Sequence, residues 1–129
     1  MEYKLSNHCC YNINYHIVFC PKRRKRVFVG DIVADAENKI RRICEEIGVS
    51  LENISIMPDH VHLFVSAPPT INPQKIVKRI KGSTARYLRD KYPNLMKIPC
   101  MWSPSYYIGT VGFVSESVVK QYIENQKTK

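Results

Sequence analysis

Residues 60–67 read His-Val-His-Leu-Phe-Val-Ser-Ala, with Val61, Leu63, Val65 and Ala67 in strict alternation with the residues between them. A two-residue period is that of a β-strand with two unlike faces, and it does not suit a helix. One face is apolar and made for a core. The other carries His60, His62 and Phe64, so the two imidazoles sit on a sheet surface turned away from that core. Same-face neighbours on a strand lie roughly 6–7 Å apart at Cα, a workable spacing for two ligands of one metal ion. Pro58-Asp59, just ahead, reads as a tight turn that fixes the strand end. Asp59 is also placed to accept an imidazole N–H from behind.

The remaining pattern supplies partners for this strand. From Tyr11 to Cys20, Ile13, Tyr15, Ile17 and Phe19 alternate with Asn12, Asn14, His16 and Val18, and Pro21 ends the run. His16 thus shares a side with Asn12 and Asn14 and is a candidate neighbour of the His60–His62 pair. From Asp31 to Ile47 the apolar residues Ile32, Val33, Ala36, Ile40, Ile43, Cys44 and Ile47 keep helical spacing. Asp31 is the expected N-cap and Gly48 the break. Val49–Met57 is a further strand. Asn72–Tyr92 is a second helix, with Asn72 as N-cap and Pro73 in the first position. Tyr106–Val111 is the last strand, and Ser115 opens the last helix.

The order is βαββαβα over 129 residues, with no repeat, linker or low-complexity stretch. It predicts one domain spanning 1–129, of the α+β class. The expected fold is a ferredoxin-like, RRM-like split βαβ sandwich: an antiparallel sheet with helices on one face. RNA-recognition modules use the same plan, which leaves the second sheet face open. Strand order follows from that analogy, not from the pattern.

Charge narrows the partner. Lys plus Arg number 20 against 11 Asp plus Glu, a net charge of +9. Such an excess on a small domain suits a polyanion. Two clusters carry it: the run Lys22, Arg23, Arg24, Lys25 and Arg26, and the basic side of the second helix, including Lys78, Arg79 and Arg86. Either can grip phosphates, and either can be a solvated surface. Trp102, Tyr106 and Tyr107 could stack bases, although core packing is the better account of at least two of them. No apolar run reaches the roughly 18 residues that cross a bilayer, and Met1-Glu2-Tyr3-Lys4 lacks a signal-peptide plan. Five cysteines, odd in number and without CxxC spacing, argue against a disulfide framework and for a reducing cytoplasm. His8-Cys9-Cys10 reads as a stray trio, not a metal site.

Tyr122 and Gln126 lie four apart on the last helix and so share a face. Tyr122 also belongs to the apolar stripe Val118, Val119, Tyr122 and Ile123, where a packed tyrosine is the plain alternative. A phenol with a pKa near 10 is a weak nucleophile at neutral pH and needs a metal or base beside it. Two imidazoles and the Gln126 amide oxygen make a mixed nitrogen and oxygen set that suits Mg2+ or Mn2+ better than zinc.

Four segments together resemble the single-tyrosine HUH transposases (TnpA) of the smallest prokaryotic insertion sequences. These are residues 15–22 (YHIVFCPK), 57–63 (MPDHVHL), Trp102 with 107–112 (YIGTVG), and 119–126 (VKQYIENQ). The resemblance implies a metal site from His60, His62 and Gln126 and a nucleophilic Tyr122. It implies a homodimer with merged sheets and active sites shared between subunits. Single-stranded element ends would be found through hairpins and joined through a 5′-phosphotyrosine. Arg23 departs from the pattern, where an aromatic residue often follows Pro-Lys. No phosphate-loop signature appears, so no nucleotide cofactor is expected. A non-catalytic RRM-like nucleic-acid-binding module and a domesticated nuclease acting on genomic repeats are the alternatives.

Overall fold

Strand β5 (His60–Ser66) lies inside a four-stranded antiparallel sheet, between β4 (Ser50–Met57) and β3 (Asn14–Phe19). Strand β6 (Tyr107–Thr110) pairs with the far side of β3, giving the order β4-β5-β3-β6. Counted along the chain, these are the second, third, first and fourth strands of the sheet, which is the split βαβ arrangement. Helix α1 (Asp31–Ile47) connects β3 to β4, α2 (Pro73–Lys91) connects β5 to β6, and α3 (Glu116–Asn125) follows. The computed structural model describes residues 4–6, 9–110 and 116–126; Val111, Gly112, Ser115 and His8 fall outside them.

The core forms where the apolar faces predict it. Ile17 and Phe19 of β3 and Val61, Leu63 and Val65 of β5 are buried with Ala36, Ile40 and Ile43 of α1 and Ile76, Val77, Ile80 and Leu88 of α2. Each such large side chain contributes roughly 1.5–3 kcal/mol on leaving water. Both helices therefore cover one face of the sheet, and the imidazoles are turned to the other.

Local chemistry sets the element ends. The expected strand 11–20 divides because Tyr11 pairs with Lys4, whereas Asn14 pairs with Ser66. Tyr11 thus closes a short hairpin, β1 (Lys4–Ser6) and β2 (Cys9–Tyr11), whose three-residue strands are too short to show a period. Gly30, not Asp31, caps α1: it takes φ +62°, ψ −137°, a conformation open to glycine, and Asp31 becomes the acid of the first turn. Gly48, at φ +77°, ends α1 in the left-handed region and donates to Cys44 and Glu45 carbonyls. Asn72 caps α2 as expected, its Oδ1 accepting from the Gln74 N–H at 2.8 Å.

Candidate active site

Directly paired residues on neighbouring strands point to the same face of a sheet. The register therefore lines up Ser55, His62, Val18 and Tyr107 in one row, and Asn53, Phe64, His16 and Gly109 in the next. His60 lies opposite Met57 at the end of β5. This face is not fully open, as the fold analogy had it. Val18 has no exposed surface, and the Tyr122 ring of α3 stands 6.1 Å from that of Tyr107. Helix α3 thus brings Tyr122 to the sheet face that carries the histidines.

A carboxylate stands behind His60. Its Nδ1 is 2.9 Å from Asp59 Oδ1, so the imidazole donates there and Nε2 carries the lone pair. Asp59 Oδ2 accepts both Nε and Nη2 of Arg24, at 2.9 and 2.6 Å. Burial pushes the Asp59 carboxyl up, but hydrogen bonds from His60 and Arg24 outweigh it and hold the group below the usual carboxylate range.

His62 meets His16, with Nε2 of the first 3.1 Å from Nδ1 of the second. One ring donates and the other accepts, which requires an uncharged acceptor. Burial lowers the pKa of both, and for His62 the neighbouring His16 and His60 add to the effect. Neutral imidazole is the form that binds metals.

Tyr122 and Gln126 sit over the segment before β6. Gln126 is 2% exposed, and its Oε1 accepts the hydroxyls of Ser103 at 2.8 Å and Ser105 at 3.0 Å. Ser105 Oγ is also 3.1 Å from the Tyr122 hydroxyl. Since the Ser105 proton goes to Gln126, Tyr122 is the donor in that bond. Burial pushes the phenol up to about 12, so it does not ionise unaided near neutral pH. Ser103 and Ser105 join the site through contacts with α3 that the sequence does not announce; their one-residue spacing ahead of β6 is its only signal of them.

Arg24 ties the two halves together. Besides Asp59, it reaches Glu124 of α3 at 3.4 Å. This departs from its expected place among the phosphate contacts, because its charge is taken up inside the protein. The turn that aims it inward has Arg23 and Arg24 at φ +56° and +54°, where non-glycine residues cost of order 1–3 kcal/mol each. Arg23, Lys25 and Arg26 remain exposed. Lys78, Arg79 and Arg86 are exposed too, beside Lys75 along a groove of about 720 Å³ on α2. That helix covers the opposite face of the sheet, so these cations are not neighbours of the histidines. Trp102 is a core residue, packed on Phe19 and Phe28 with its N–H on the Lys81 carbonyl. Tyr106 packs against the same core, and Tyr107 faces Tyr122.

Among the described residues, no three His, Cys, Asp or Glu side chains converge to hold a metal. An ion on His60 and His62 therefore needs a donor of another type; the Gln126 amide oxygen is of that type, and in this structure it accepts the Ser103 and Ser105 hydroxyls. The two imidazoles fit such an ion: they share a face, one is oriented by a carboxylate, and the other is held neutral.

Residues 9–126 match the family described as "Transposase IS200 like". The chain is 34% identical over 132 residues to the ISDra2 transposase TnpA of Deinococcus radiodurans, covering 100% of this chain and 94% of that protein. It is 28% identical over 122 residues to the transposase for insertion sequence element IS200 of Salmonella typhimurium, covering 92% and 80%. A crystal structure of a candidate transposase from Deinococcus radiodurans R1 superposes with a TM-score of 0.89 at 33% identity, over 95% of this chain and 97% of that one. A REP-associated tyrosine transposase bound to a REP hairpin superposes with a TM-score of 0.61, over 93% and 69%. At 10% identity the last speaks for the fold alone.

Proposed function

This chain belongs to the IS200-like transposase family, and from that premise we propose that it cuts and rejoins single-stranded DNA at insertion-sequence ends through a 5′-phosphotyrosine on Tyr122, with Mg2+ or Mn2+ as cofactor. The observation that carries this reading is the seating of Tyr122 on the sheet face of His60 and His62, with Arg24 joining α3 to Asp59 behind His60.

His60 and His62 would hold the ion, with Gln126 as third protein donor once its oxygen exchanges the serine hydroxyls for the metal. Bound there, a divalent ion supplies positive charge to a scissile phosphate. The protein's own groups do the rest. Asp59 keeps His60 in the tautomer that presents Nε2, and His16 fixes the ring of His62. Tyr122 Oη attacks phosphorus as the bond from phosphorus to the 3′-oxygen breaks, and the phenolic proton ends, by way of solvent, on that departing oxygen. The products are a phosphotyrosine at the 5′ end and a free 3′-hydroxyl. A second 3′-hydroxyl reverses the step, displaces Tyr122 and joins a new strand. Bond energy is conserved in the phosphotyrosine, so the exchange needs no nucleotide.

Substrate grip divides between two layers. Lys22, Arg23, Lys25 and Arg26 would bind phosphates near the imidazoles, while Lys78, Arg79 and Arg86 would hold a DNA hairpin on the helix side. A hairpin is what the REP-associated neighbour binds. The working unit in this reading is a cytoplasmic homodimer with active sites shared between subunits. No helix among the described residues is long and apolar enough to cross a membrane.

The test is incubation with manganese and labelled single-stranded element ends. A covalent adduct is expected from the wild type and none from Tyr122→Phe, whose hairpin affinity stays within several-fold because phosphate contacts supply most of it. DNA binding with no adduct in any variant would leave the non-catalytic binding module as the reading.

A further inference from the structure

One side chain ties the segment before β6 to α2. Lys81 Nζ donates to the carbonyl oxygens of Ser103 at 2.8 Å and Ser105 at 3.1 Å. The carbonyl of Lys81 accepts the Trp102 indole N–H at 2.9 Å. Its ammonium lies 5.7 Å from the centre of the Tyr106 ring. Ser103 is held from the other side as well, its N–H donating to the Cys20 carbonyl at 2.8 Å. Burial lowers the Lys81 pKa, the mark of an ammonium taken partly out of water. Both hydrogen bonds of the ammonium go to backbone carbonyls. Burying a charge is costly, and an apolar chain of similar length would fill the space without that cost. The ammonium adds something filling cannot: it fixes the backbone of two residues that are one apart.

Those two residues carry the hydroxyls that meet α3. Ser103 and Ser105 converge on Gln126, and Ser105 alone also meets Tyr122. The chain of contact therefore runs from α2 through Lys81 and the 103–105 backbone to the phenol. We propose that Lys81 is a positioning residue for the Tyr122 nucleophile, acting through Ser103 and Ser105 and not through contact with DNA. The proposal rests on the reading of Tyr122 as nucleophile. Attack on phosphorus needs the phenolic oxygen aligned, and a displacement near 1 Å can cost about a hundredfold in rate.

The experiment follows single-turnover adduct formation by the full chain with manganese at saturating hairpin DNA. Lys81→Met is expected to slow the adduct by roughly ten- to a hundredfold while hairpin affinity stays within about threefold, since phosphate contacts are untouched. Lys81→Arg is expected to recover most of the rate, because a guanidinium can still donate to two carbonyls. In a Ser105→Ala background, Lys81→Met should cost little more, the route to the phenol being already cut. A wild-type rate for Lys81→Met, or a full and independent loss in the Ser105→Ala background, overturns the proposal. Should Lys81→Met lose its folded circular-dichroism spectrum, Lys81→Gln takes its place, and a wild-type rate there overturns the proposal equally. Tyr122→Phe runs beside these variants. An adduct that needs Tyr122 but ignores Lys81 defeats this proposal alone; an adduct that survives Tyr122→Phe defeats the nucleophile reading and this proposal with it.

Discussion

Arg24 clasps Asp59 through two nitrogens, and Asp59 in turn holds the Nδ1 of His60. The side chains of Arg24 and Asp59 are 15% and 14% exposed, so the pair is shielded from most solvent screening. A residue from a run of basic side chains thus orients an imidazole from two bonds away.

Removing that support is expected to weaken metal binding at the proposed site while leaving both imidazoles in place. Asp59→Asn and Arg24→Ala should each lower manganese affinity, Asp59→Asn by about 10–100-fold. His60→Ala and His62→Ala should remove metal-dependent cleavage, and Gln126→Ala should weaken binding less, imidazole being the stronger donor for manganese. Titration calorimetry on the five variants checks the order. Equal affinity throughout would place the metal elsewhere.

The histidine pair should also make stability depend on pH. His16 and His62 have folded pKa values below the ordinary 6.5. The unfolded chain therefore takes up protons first as pH falls below 6.5, and the contribution present above that value is lost toward the lower folded pKa. Asp59 acts in a separate window, below its ordinary 3.8. The melting temperature of the metal-free protein is expected to fall between about pH 7 and about pH 5. His62→Gln should show a shallower fall. A parallel profile for the variant would remove the His16–His62 contact as its source.

DNA affinity should be strongly salt-dependent, with the turn after Pro21 contributing. Replacing Lys25 and Arg26 by Ala, with Arg24 left in place, should flatten the log–log salt slope by roughly 1–2 units. The slope is read from binding isotherms at several salt concentrations. An unchanged slope would make this turn a solvated surface.

Mixed dimers test which subunit supplies which part. Within one chain, α3 is joined to the Asp59 side by the Arg24–Glu124 pair, at 3.4 Å with Glu124 59% exposed. Such a pair is worth about 0–1 kcal/mol and does not by itself hold α3 to its own chain. An α3 exchanged between protomers would make the same contacts on the partner. Combining Tyr122→Phe and His62→Ala chains, each expected to be inactive alone, should then restore one good site in two and return cleavage at about half the wild-type site count. A verified mixed dimer that binds DNA and never cleaves would show the sites to be built within each chain.

Period and spacing were enough to place most of this architecture. The alternation at 60–67 put Val61, Leu63 and Val65 into the core and His60 and His62 on the far face, because a pleated strand leaves a side chain no third direction. The four-residue step from Tyr122 to Gln126 put both on one side of α3 for the same kind of reason. Short-range chemistry also wrote the Asn72 cap and the Gly48 stop. Relationships between distant segments were not legible in this way. Val18 alternates like a solvent-facing residue, yet it is fully buried, on the face where Tyr122 meets Tyr107. Arg24 reads as one cation among five, yet it faces Asp59 because two left-handed residues turn it back. Lys81 lies 22 and 24 residues from the carbonyls it binds. Local sequence fixes φ, ψ and side-chain direction within an element. Which elements become neighbours depends on sheet register and helix packing, and only those brought Lys81, Ser105 and Tyr122 into one chain of contact.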